Sequence, residues 1–178
     1  MSLYDIDLQV FRIFNHPSSI SVDIYIVTAI FTVYAFLIFL VYNYFRQNNK
    51  AKFAHLVLSA IIGYFVVTVI KQIVARPRPY ETVGAEAVIT KPYDPYGFPS
   101  GHSFIVFLLL NFLPPSWPKL AKYLAAAYII FVPIGSMYIG VHYPSDVFVG
   151  SLLGYLFPKI LSEKTSTKIF DKISNLHL

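Results

Sequence analysis

The sequence predicts an all-α integral membrane protein, built as a bundle of about five transmembrane helices with an interfacial helix at its N-terminus. Of its 178 residues, 56% are hydrophobic and only 13% are charged, whereas a soluble domain carries about 25% charged residues. The mean hydropathy is +0.60, and the apolar residues form runs of about the 20 residues that a crossing needs. These observations argue against a soluble enzyme, a disordered tail and a nucleic-acid-binding protein.

Five apolar runs predict five spans, at residues 20–45, 53–74, 100–115, 120–138 and 144–161. The segment before them, residues 1–18, is too short and too polar to span, so we expect a helix that lies at the membrane interface. Residues 75–99 form the one long loop, a kind of segment that is usually functional. We expect the whole chain, residues 1–178, to form a single membrane-embedded domain, with a polar tail after the last span.

Basic residues predict the orientation, because the cytoplasmic segments of membrane proteins are enriched in lysine and arginine. If five spans alternate in direction, nine basic residues fall on one side: Arg46, Lys50, Lys52, Lys119, Lys122, Lys159, Lys164, Lys168 and Lys172. Five fall on the other side: Arg12, Lys71, Arg76, Arg78 and Lys91. We therefore expect the richer side to be cytoplasmic, with the C-terminus inside and the long loop on the extracytoplasmic face of the cell membrane.

Three polar stretches stand out, and all three fall on the predicted extracytoplasmic face. The segment KQIVARPRP, residues 71–79, lies at the end of the second span. The segment PSGH, residues 99–102, opens the third span, and HYPSD, residues 142–146, opens the fifth. Because these span ends lie at the same face, we expect their basic, histidine and aspartate side chains to converge.

Each of these residues also has an ordinary structural explanation. Lys71 could extend its charge to the interface, Ser100 is a favourable helix N-cap, and Asp146 in a first helical turn is stabilised by the helix dipole. Taken together, however, they would have to gather by chance at one face of a chain with 13% charged residues. Ionisable residues at membrane depth are candidates for function, and their joint placement favours a site.

The cationic and backbone groups of this set are suited to binding phosphate. Lys71 and Arg78 supply positive charge and N–H donors for phosphate oxygens. Ser100 and Gly101 begin a helix, where free backbone N–H groups point at an anion. Gly101 also lacks a side chain that would keep the anion away from the backbone.

Two histidines and a carboxylate add the groups that phosphoryl transfer requires. One histidine can attack phosphorus while the other protonates the leaving oxygen. Asp146 lies four residues after His142 and can hold its Nδ1–H, which leaves Nε2 free to attack; the second histidine is His102. The sequence offers no carboxylate cluster for magnesium and contains no cysteine. We therefore expect transfer through a phosphohistidine, with no metal and no other cofactor.

The three stretches resemble the signature of the type 2 phosphatidic acid phosphatase superfamily, membrane lipid phosphatases related to vanadium haloperoxidases. That signature reads K-x6-R-P, then P-S-G-H, then S-R-x5-H-x3-D, and the resemblance extends over about residues 64–155. It implies a helical bundle in which His142 is the nucleophile, Asp146 orients it and His102 is the general acid. The resemblance also assigns phosphate binding to four residues: Lys71, Arg78, Ser100 and Gly101.

One position departs from this signature. Where the family has S-R, the chain has Gly135 and Ser136, so the arginine that normally binds the transferred phosphate is missing. The loss of such a charge-assisted contact in a dry site costs roughly 10²–10³ in rate if nothing replaces it. Arg76 is a candidate replacement; otherwise the gap indicates a different substrate geometry or a slow enzyme.

These features predict an enzyme that hydrolyses a lipid phosphate or diphosphate. The small size suits a protein that recycles a lipid carrier, so a polyprenyl diphosphate is the first candidate substrate. Glycerolipid monoesters (phosphatidate or phosphatidylglycerophosphate) and lipid A remain alternatives. A protein that binds or transports a lipid phosphate without turnover is a different class, favoured by the missing arginine but not by the retained histidines. A purely structural protein would leave the polar cluster unexplained. The expected partners are the lipid substrate and the bilayer.

Overall fold

A computed structural model describes residues 2–16, 31–83 and 94–175, and within these ranges the chain is helical. Eight α-helices follow one another in the described residues: α1 Leu3–Phe14, α2 Thr32–Arg46, α3 Lys50–Val74, α4 Pro79–Thr82, α5 Gly101–Leu109, α6 Lys119–Tyr138, α7 Pro144–Leu161 and α8 Glu163–Ser174. A 3-10 turn, Leu110–Phe112, extends α5. The prediction of an all-helical fold is confirmed for this part of the chain.

Helices lie at all five predicted span positions. The first predicted span, residues 20–45, is described only in part, because residues 20–30 lie outside the described ranges. Helices α3 and α6 are long and apolar enough to cross a membrane by length and composition, whereas α2 and α5 with its 3-10 turn are shorter apolar helices. The count of about five crossings stays a prediction.

Helix α5 lies in the middle of the bundle, because its sequence GHSFIVFLL is apolar on almost every side. Phe104 and Leu108 are fully buried, and the helix contacts α2, α3, α6 and α7. Pro114 and Pro115 follow the 3-10 turn, since proline cannot continue a helical hydrogen-bond pattern. The Tyr44 hydroxyl donates to the carbonyl of Phe112 at 2.8 Å. A buried carbonyl at the end of the 3-10 turn therefore has a hydrogen-bond partner.

Helices α5 and α7 form the most extensive helix pair in the described residues, and two glycines of α7 allow their close approach. A Cβ atom at Gly150 would collide with the carbonyl oxygen of Ser100, and one at Gly154 with that of Phe104. The G-x-x-x-G spacing therefore serves packing within the bundle. This contact fixes the beginning of α5 beside the beginning of α7.

The two amphipathic helices at the ends of the chain cover different parts of the bundle. Helix α1 packs on α6 and α7 and buries Phe11. Helix α8 packs on α3, where Lys50 pairs with Asp171 and Lys52 with Glu163, both at 2.6 Å. The polar tail predicted after the last span thus continues as an ordered helix through Ser174.

Replacing Gly154 by alanine tests the α5–α7 contact. The added Cβ meets backbone rather than a flexible side chain, so the helices must separate, and we expect a loss of about 1–3 kcal/mol in the free energy of unfolding. Thermal unfolding in detergent measures the change. Ser151→Ala on the same helix is the control, with an expected change below about 0.5 kcal/mol. Unchanged or greater stability of Gly154→Ala would contradict the packing account.

Candidate active site

All the residues predicted for the site lie at one end of the bundle, where α3 ends and where α5 and α7 begin. Lys71 lies in the last turn of α3, and Arg78 is the N-cap of α4. Ser100 is the N-cap of α5, which begins with Gly101 and His102; His142 precedes α7, and Asp146 lies in its first turn. The fold therefore gathers residues from three separated segments.

A backbone hydrogen bond joins the second and third stretches. The N–H of Ser100 donates to the carbonyl oxygen of Asp146 at 2.9 Å. The Ser100 hydroxyl caps α5 by accepting from the N–H of Ser103 at 3.4 Å and from its hydroxyl at 3.0 Å. The chain also passes close to Asp146 at Gly97, where a Cβ would lie 2.9 Å from the carboxylate. The phosphate-binding turn predicted at Ser100 and Gly101 is thus fixed to the catalytic turn predicted at His142.

His142 and Asp146 lie side by side and are almost fully buried. The distance from His142 Nδ1 to Asp146 Oδ2 is 3.6 Å, slightly longer than a hydrogen bond, and Nδ1 has no hydrogen-bond partner among the described residues. Asp146 Oδ2 accepts from the N–H of Tyr143 at 2.9 Å, which holds it in the helix-capping position. Burial lowers the pKa of His142 to about 4, against the effect of Asp146, so the imidazole is neutral near pH 7. A neutral imidazole is the form that can act as a nucleophile.

Arg76 holds the other oxygen of Asp146. Its Nη1 donates to Asp146 Oδ1 at 2.8 Å and to the Ser145 hydroxyl at 2.6 Å, and its Nη2 donates to Asp7 Oδ2 at 2.6 Å. The guanidinium also lies 4.1 Å from the centre of the Tyr143 ring. Arg76 is therefore committed to carboxylates that support the site, which argues against the expectation that it replaces the missing arginine.

Asp7 brings the N-terminal helix into contact with this network. It is buried, and its Oδ1 accepts from the N–H of Ser145 at 2.9 Å, so a side chain of α1 caps the start of α7. Its Oδ2 accepts from the Ser145 hydroxyl at 2.5 Å as well as from Arg76. Helix α1 is thus fixed to the site by a buried carboxylate in addition to its apolar contacts.

Lys71 and Arg78 are buried cations whose partners lie on the loop before α5. Lys71 is 4% exposed and Arg78 5%. Lys71 Nζ donates to the carbonyl of Tyr96 at 2.8 Å and pairs with Asp94 Oδ2 at 2.9 Å. Arg78 donates from Nε and Nη2 to the carbonyl of Asp94 at 3.1 and 2.9 Å, and from Nη1 to that of Val141 at 3.1 Å. Arg78 Nη2 also lies 3.8 Å from Asp94 Oδ2, so the Asp94 carboxylate is near both cations.

His102 and Ser136 complete the placement of the predicted residues. The His102 ring is partly buried and meets the ring of Tyr34 edge-on, with 6.3 Å between the ring centres. Ser136 is buried, and its hydroxyl donates to the carbonyl of Pro133 at 2.6 Å within its own helix. Ser136 occupies the position of the family arginine, and its hydroxyl proton is already donated to a backbone carbonyl of its own helix.

Sequence reasoning did not identify Asp7, Asp94 or Tyr143. Asp7 precedes Phe11 by one helical turn, and both are buried. The sequence signal that could have identified Asp7 is therefore an acidic residue on the apolar face of α1. Asp94 offers no such signal, because its partners depend on the path of the long loop. Residues 84–93 of that loop, including the predicted extracytoplasmic Lys91, lie outside the described ranges.

The described residues contain no group of three histidine, aspartate or glutamate side chains that could hold a metal ion.

Comparison with known proteins adds an independent line of evidence. The family model of the PAP2 superfamily matches residues 52–169. The chain is 31% identical to "Undecaprenyl-diphosphatase" of Sulfolobus acidocaldarius over 136 residues, which are 74% of this chain and 64% of that protein. It is 26% identical over 164 residues to "Bacitracin transport permease protein BcrC" of Bacillus licheniformis, covering 88% of this chain and 79% of that one. The crystal structure of Aquifex aeolicus LpxE matches with a TM-score of 0.70 at 26% identity, over 90% of this chain and 98% of that chain.

Replacing Asp7 by asparagine tests the network that supports Asp146. The change leaves Arg76 with one carboxylate instead of two in a site where Asp7 is buried and Arg76 is 20% exposed. Breaking a buried pair costs about 3–5 kcal/mol, and partial exposure reduces this to about 1–3 kcal/mol of unfolding free energy. Denaturant unfolding in detergent measures it, with Glu163→Gln in the exposed pair with Lys52 as a control below about 1 kcal/mol. Equal effects of the two changes would contradict a supporting role for Asp7.

Proposed function

Because the chain belongs to the PAP2 superfamily, we propose that it is an integral-membrane phosphatase that hydrolyses a lipid phosphate or diphosphate through a phosphohistidine, without a metal. The observation that carries this proposal is the neutral, buried His142 beside the Asp146 carboxylate. It lies at the same end of the bundle as two buried cations, Lys71 and Arg78. Binding alone would not require an oriented nucleophile, so this combination favours catalysis.

The phosphate group binds to the cations and to the start of α5. The three hydrogen bonds of Arg78 use three of its five N–H groups, and the others are available to phosphate oxygens. Lys71 supplies a second positive charge, and the first backbone N–H groups of α5, from Gly101, supply donors that are free at a helix N-terminus. Ser100 acts as an acceptor in its bonds with Ser103, so its own hydroxyl proton can also serve the anion.

In the covalent step, Nε2 of His142 attacks phosphorus, and the bond from phosphorus to the leaving oxygen breaks. That oxygen keeps the electron pair and takes a proton from His102, which acts as the general acid. The phosphohistidine carries positive charge on its ring, and Asp146 stabilises that charge across the 3.6 Å between Oδ2 and Nδ1. With a diphosphate substrate the leaving group is the lipid monophosphate.

Hydrolysis of the phosphohistidine completes the reaction. Water attacks phosphorus, His102 now accepts the proton of that water, and the bond between phosphorus and Nε2 breaks. The electron pair of that bond returns to the His142 ring. The products are the dephosphorylated lipid, or the lipid monophosphate, and inorganic phosphate, and both histidines regain their starting protonation.

A polyprenyl diphosphate is the substrate that we propose. The relative named undecaprenyl-diphosphatase supports this choice. Phosphatidate and phosphatidylglycerophosphate are the glycerolipid alternatives, and each would be hydrolysed by the same steps. The excess of basic residues on the side of the C-terminus supports an extracytoplasmic site.

A transport or binding function without turnover is the second candidate. Ser136 stands where the family has an arginine, its hydroxyl is bound within its own helix, and Arg76 is engaged by carboxylates. The similarity to a protein named a bacitracin transport permease supports the same alternative. Under this function the site would bind the lipid phosphate and release it intact.

Phosphate release by the purified protein in detergent with EDTA separates these functions. We expect release from polyprenyl diphosphate, tested beside phosphatidate and phosphatidylglycerophosphate, because Lys71 and Arg78 supply the positive charge that a metal otherwise supplies. The His142→Ala variant should lose at least about 10³-fold in rate, since the nucleophile is removed. His16→Ala, which alters an exposed histidine at the end of α1, should keep the native rate.

Two outcomes would contradict the proposal. A strict requirement for magnesium would exclude the metal-independent mechanism. Binding of the lipid with no phosphate release by the native protein would favour the transport function instead.

A further inference from the structure

The Asp94 carboxylate lies where an anion is expected in the proposed site. Its Oδ2 is 2.9 Å from Lys71 Nζ and 3.8 Å from Arg78 Nη2. Both cations are almost completely buried, whereas the Asp94 side chain is 37% exposed. The carboxylate therefore enters the cationic site from a loop that also reaches solvent.

Buried cations require a counter-charge, because an unpaired charge in an apolar interior is strongly unfavourable. Asp146, the other nearby carboxylate, is already bound by Arg76 and by the N–H of Tyr143. Among the described residues, Asp94 is the carboxylate that pairs with Lys71 and Arg78. Partial burial opposes its ionisation, yet the hydrogen bond and charge of Lys71 hold the pKa of Asp94 below its ordinary value. It is therefore ionised near pH 7.

The backbone of Asp94 is held independently of its side chain. Its carbonyl oxygen accepts two hydrogen bonds from Arg78, while its carboxylate is held by Lys71 and by the N–H of Tyr96 at 3.1 Å. Rotation of the side chain would break these last two contacts and the 3.8 Å ion pair between Arg78 Nη2 and Asp94 Oδ2, but not the hydrogen bonds to the Asp94 carbonyl. The carboxylate can thus leave the cations while the loop stays attached to Arg78.

We propose that Asp94 is a specificity-determining residue whose carboxylate occupies the position of the substrate phosphate and is exchanged for it when substrate binds. This inference rests on the proposed function, since it assigns Lys71 and Arg78 to phosphate binding. A tethered carboxylate carries one negative charge, so a ligand gains by the exchange only if it carries more charge or makes more hydrogen bonds. Asp94 would therefore favour a diphosphate over the monophosphate products and would promote their release.

A purely positioning role for Asp94 would change the affinity for anions in the opposite direction. If Asp94 stayed on Lys71 during the reaction and merely held its ammonium group in place, removing the carboxylate would weaken anion binding. If the carboxylate is exchanged, removing it frees the site. The apparent affinity of a ligand is reduced by the fraction of protein that is unable to bind it, so eliminating the competing carboxylate must tighten binding.

Binding of orthovanadate to the full chain in detergent tests the exchange without requiring turnover. Vanadate affinity is obtained from the rise in thermal unfolding temperature with ligand concentration. We expect Asp94→Asn to bind vanadate about tenfold more tightly than the native protein and to unfold at a lower temperature without ligand, because Lys71 loses its counter-charge. Inorganic phosphate should likewise inhibit the variant about tenfold more strongly.

Two variants control for charge and for side-chain shape. Asp171→Asn removes a carboxylate from the exposed pair with Lys50 and should leave the vanadate affinity unchanged. Asp94→Glu retains the charge and should bind vanadate within about threefold of the native protein. A tightening in Asp171→Asn as large as in Asp94→Asn would show a general charge effect and overturn the inference.

The failure of this inference is distinguishable from that of the proposed function. Equal or weaker vanadate binding by Asp94→Asn, with native phosphate release intact, overturns the exchange and leaves the phosphatase proposal standing. If the native protein neither binds vanadate nor releases phosphate from any of the three lipids, both fail.

Discussion

Lys71 and Arg78 are buried cations, and their burial dictates which groups the surrounding chain must supply. Each lies about 95% inside a bundle of apolar helices, where a cation is tolerated only with a counter-charge and a full set of acceptors. The loop before α5 supplies these through the carbonyls of Asp94 and Tyr96 and the Asp94 carboxylate. A phosphate group satisfies the same requirement better, because it offers more oxygens and more charge. The Asp94 carboxylate therefore already provides Lys71 and Arg78 with a bound anion.

Helix packing converts this electrostatic arrangement into a defined geometry. Gly150 and Gly154 let α7 approach the backbone of α5, and the hydrogen bond from Ser100 to Asp146 fixes the two helix starts together. The partly buried hydrogen bonds from Arg76 to Asp7 and to Asp146 then fix the Asp146 carboxylate beside His142. Two carboxylates thus have separate tasks: Asp146 faces the histidine, and Asp94 faces the cations. Preorganisation of this kind is what electrostatic stabilisation of a transition state requires.

The sequence predicted the helices, and the convergence of the polar motif residues, where local signals were strong. Apolar runs located the helices, and the positions of Lys71, Arg78, His142 and Asp146 at span ends predicted that they lie at the same end of the bundle. The partners of those residues were not predictable, because they depend on contacts between distant segments: Asp7 lies 69 residues from Arg76. Spacing likewise did not reveal that two carboxylates hold Arg76, a contact that argues against Arg76 as the replacement for the missing arginine. The polar composition of the tail was evident from the sequence. Its packing on α3 as helix α8 was not, because that contact joins distant segments.

Trapping of the covalent intermediate tests whether His142 becomes phosphorylated during turnover. The native protein would be mixed with a lipid substrate labelled in its terminal phosphate, quenched with alkali within milliseconds, and digested for peptide mapping. A phosphohistidine at His142 would give an acid-labile, alkali-stable label on the peptide that contains this residue. Asp146→Asn should carry less label, because the charged ring loses its stabilising carboxylate. Label on another residue, or phosphate release with no labelled protein at any time, would exclude His142 as the nucleophile.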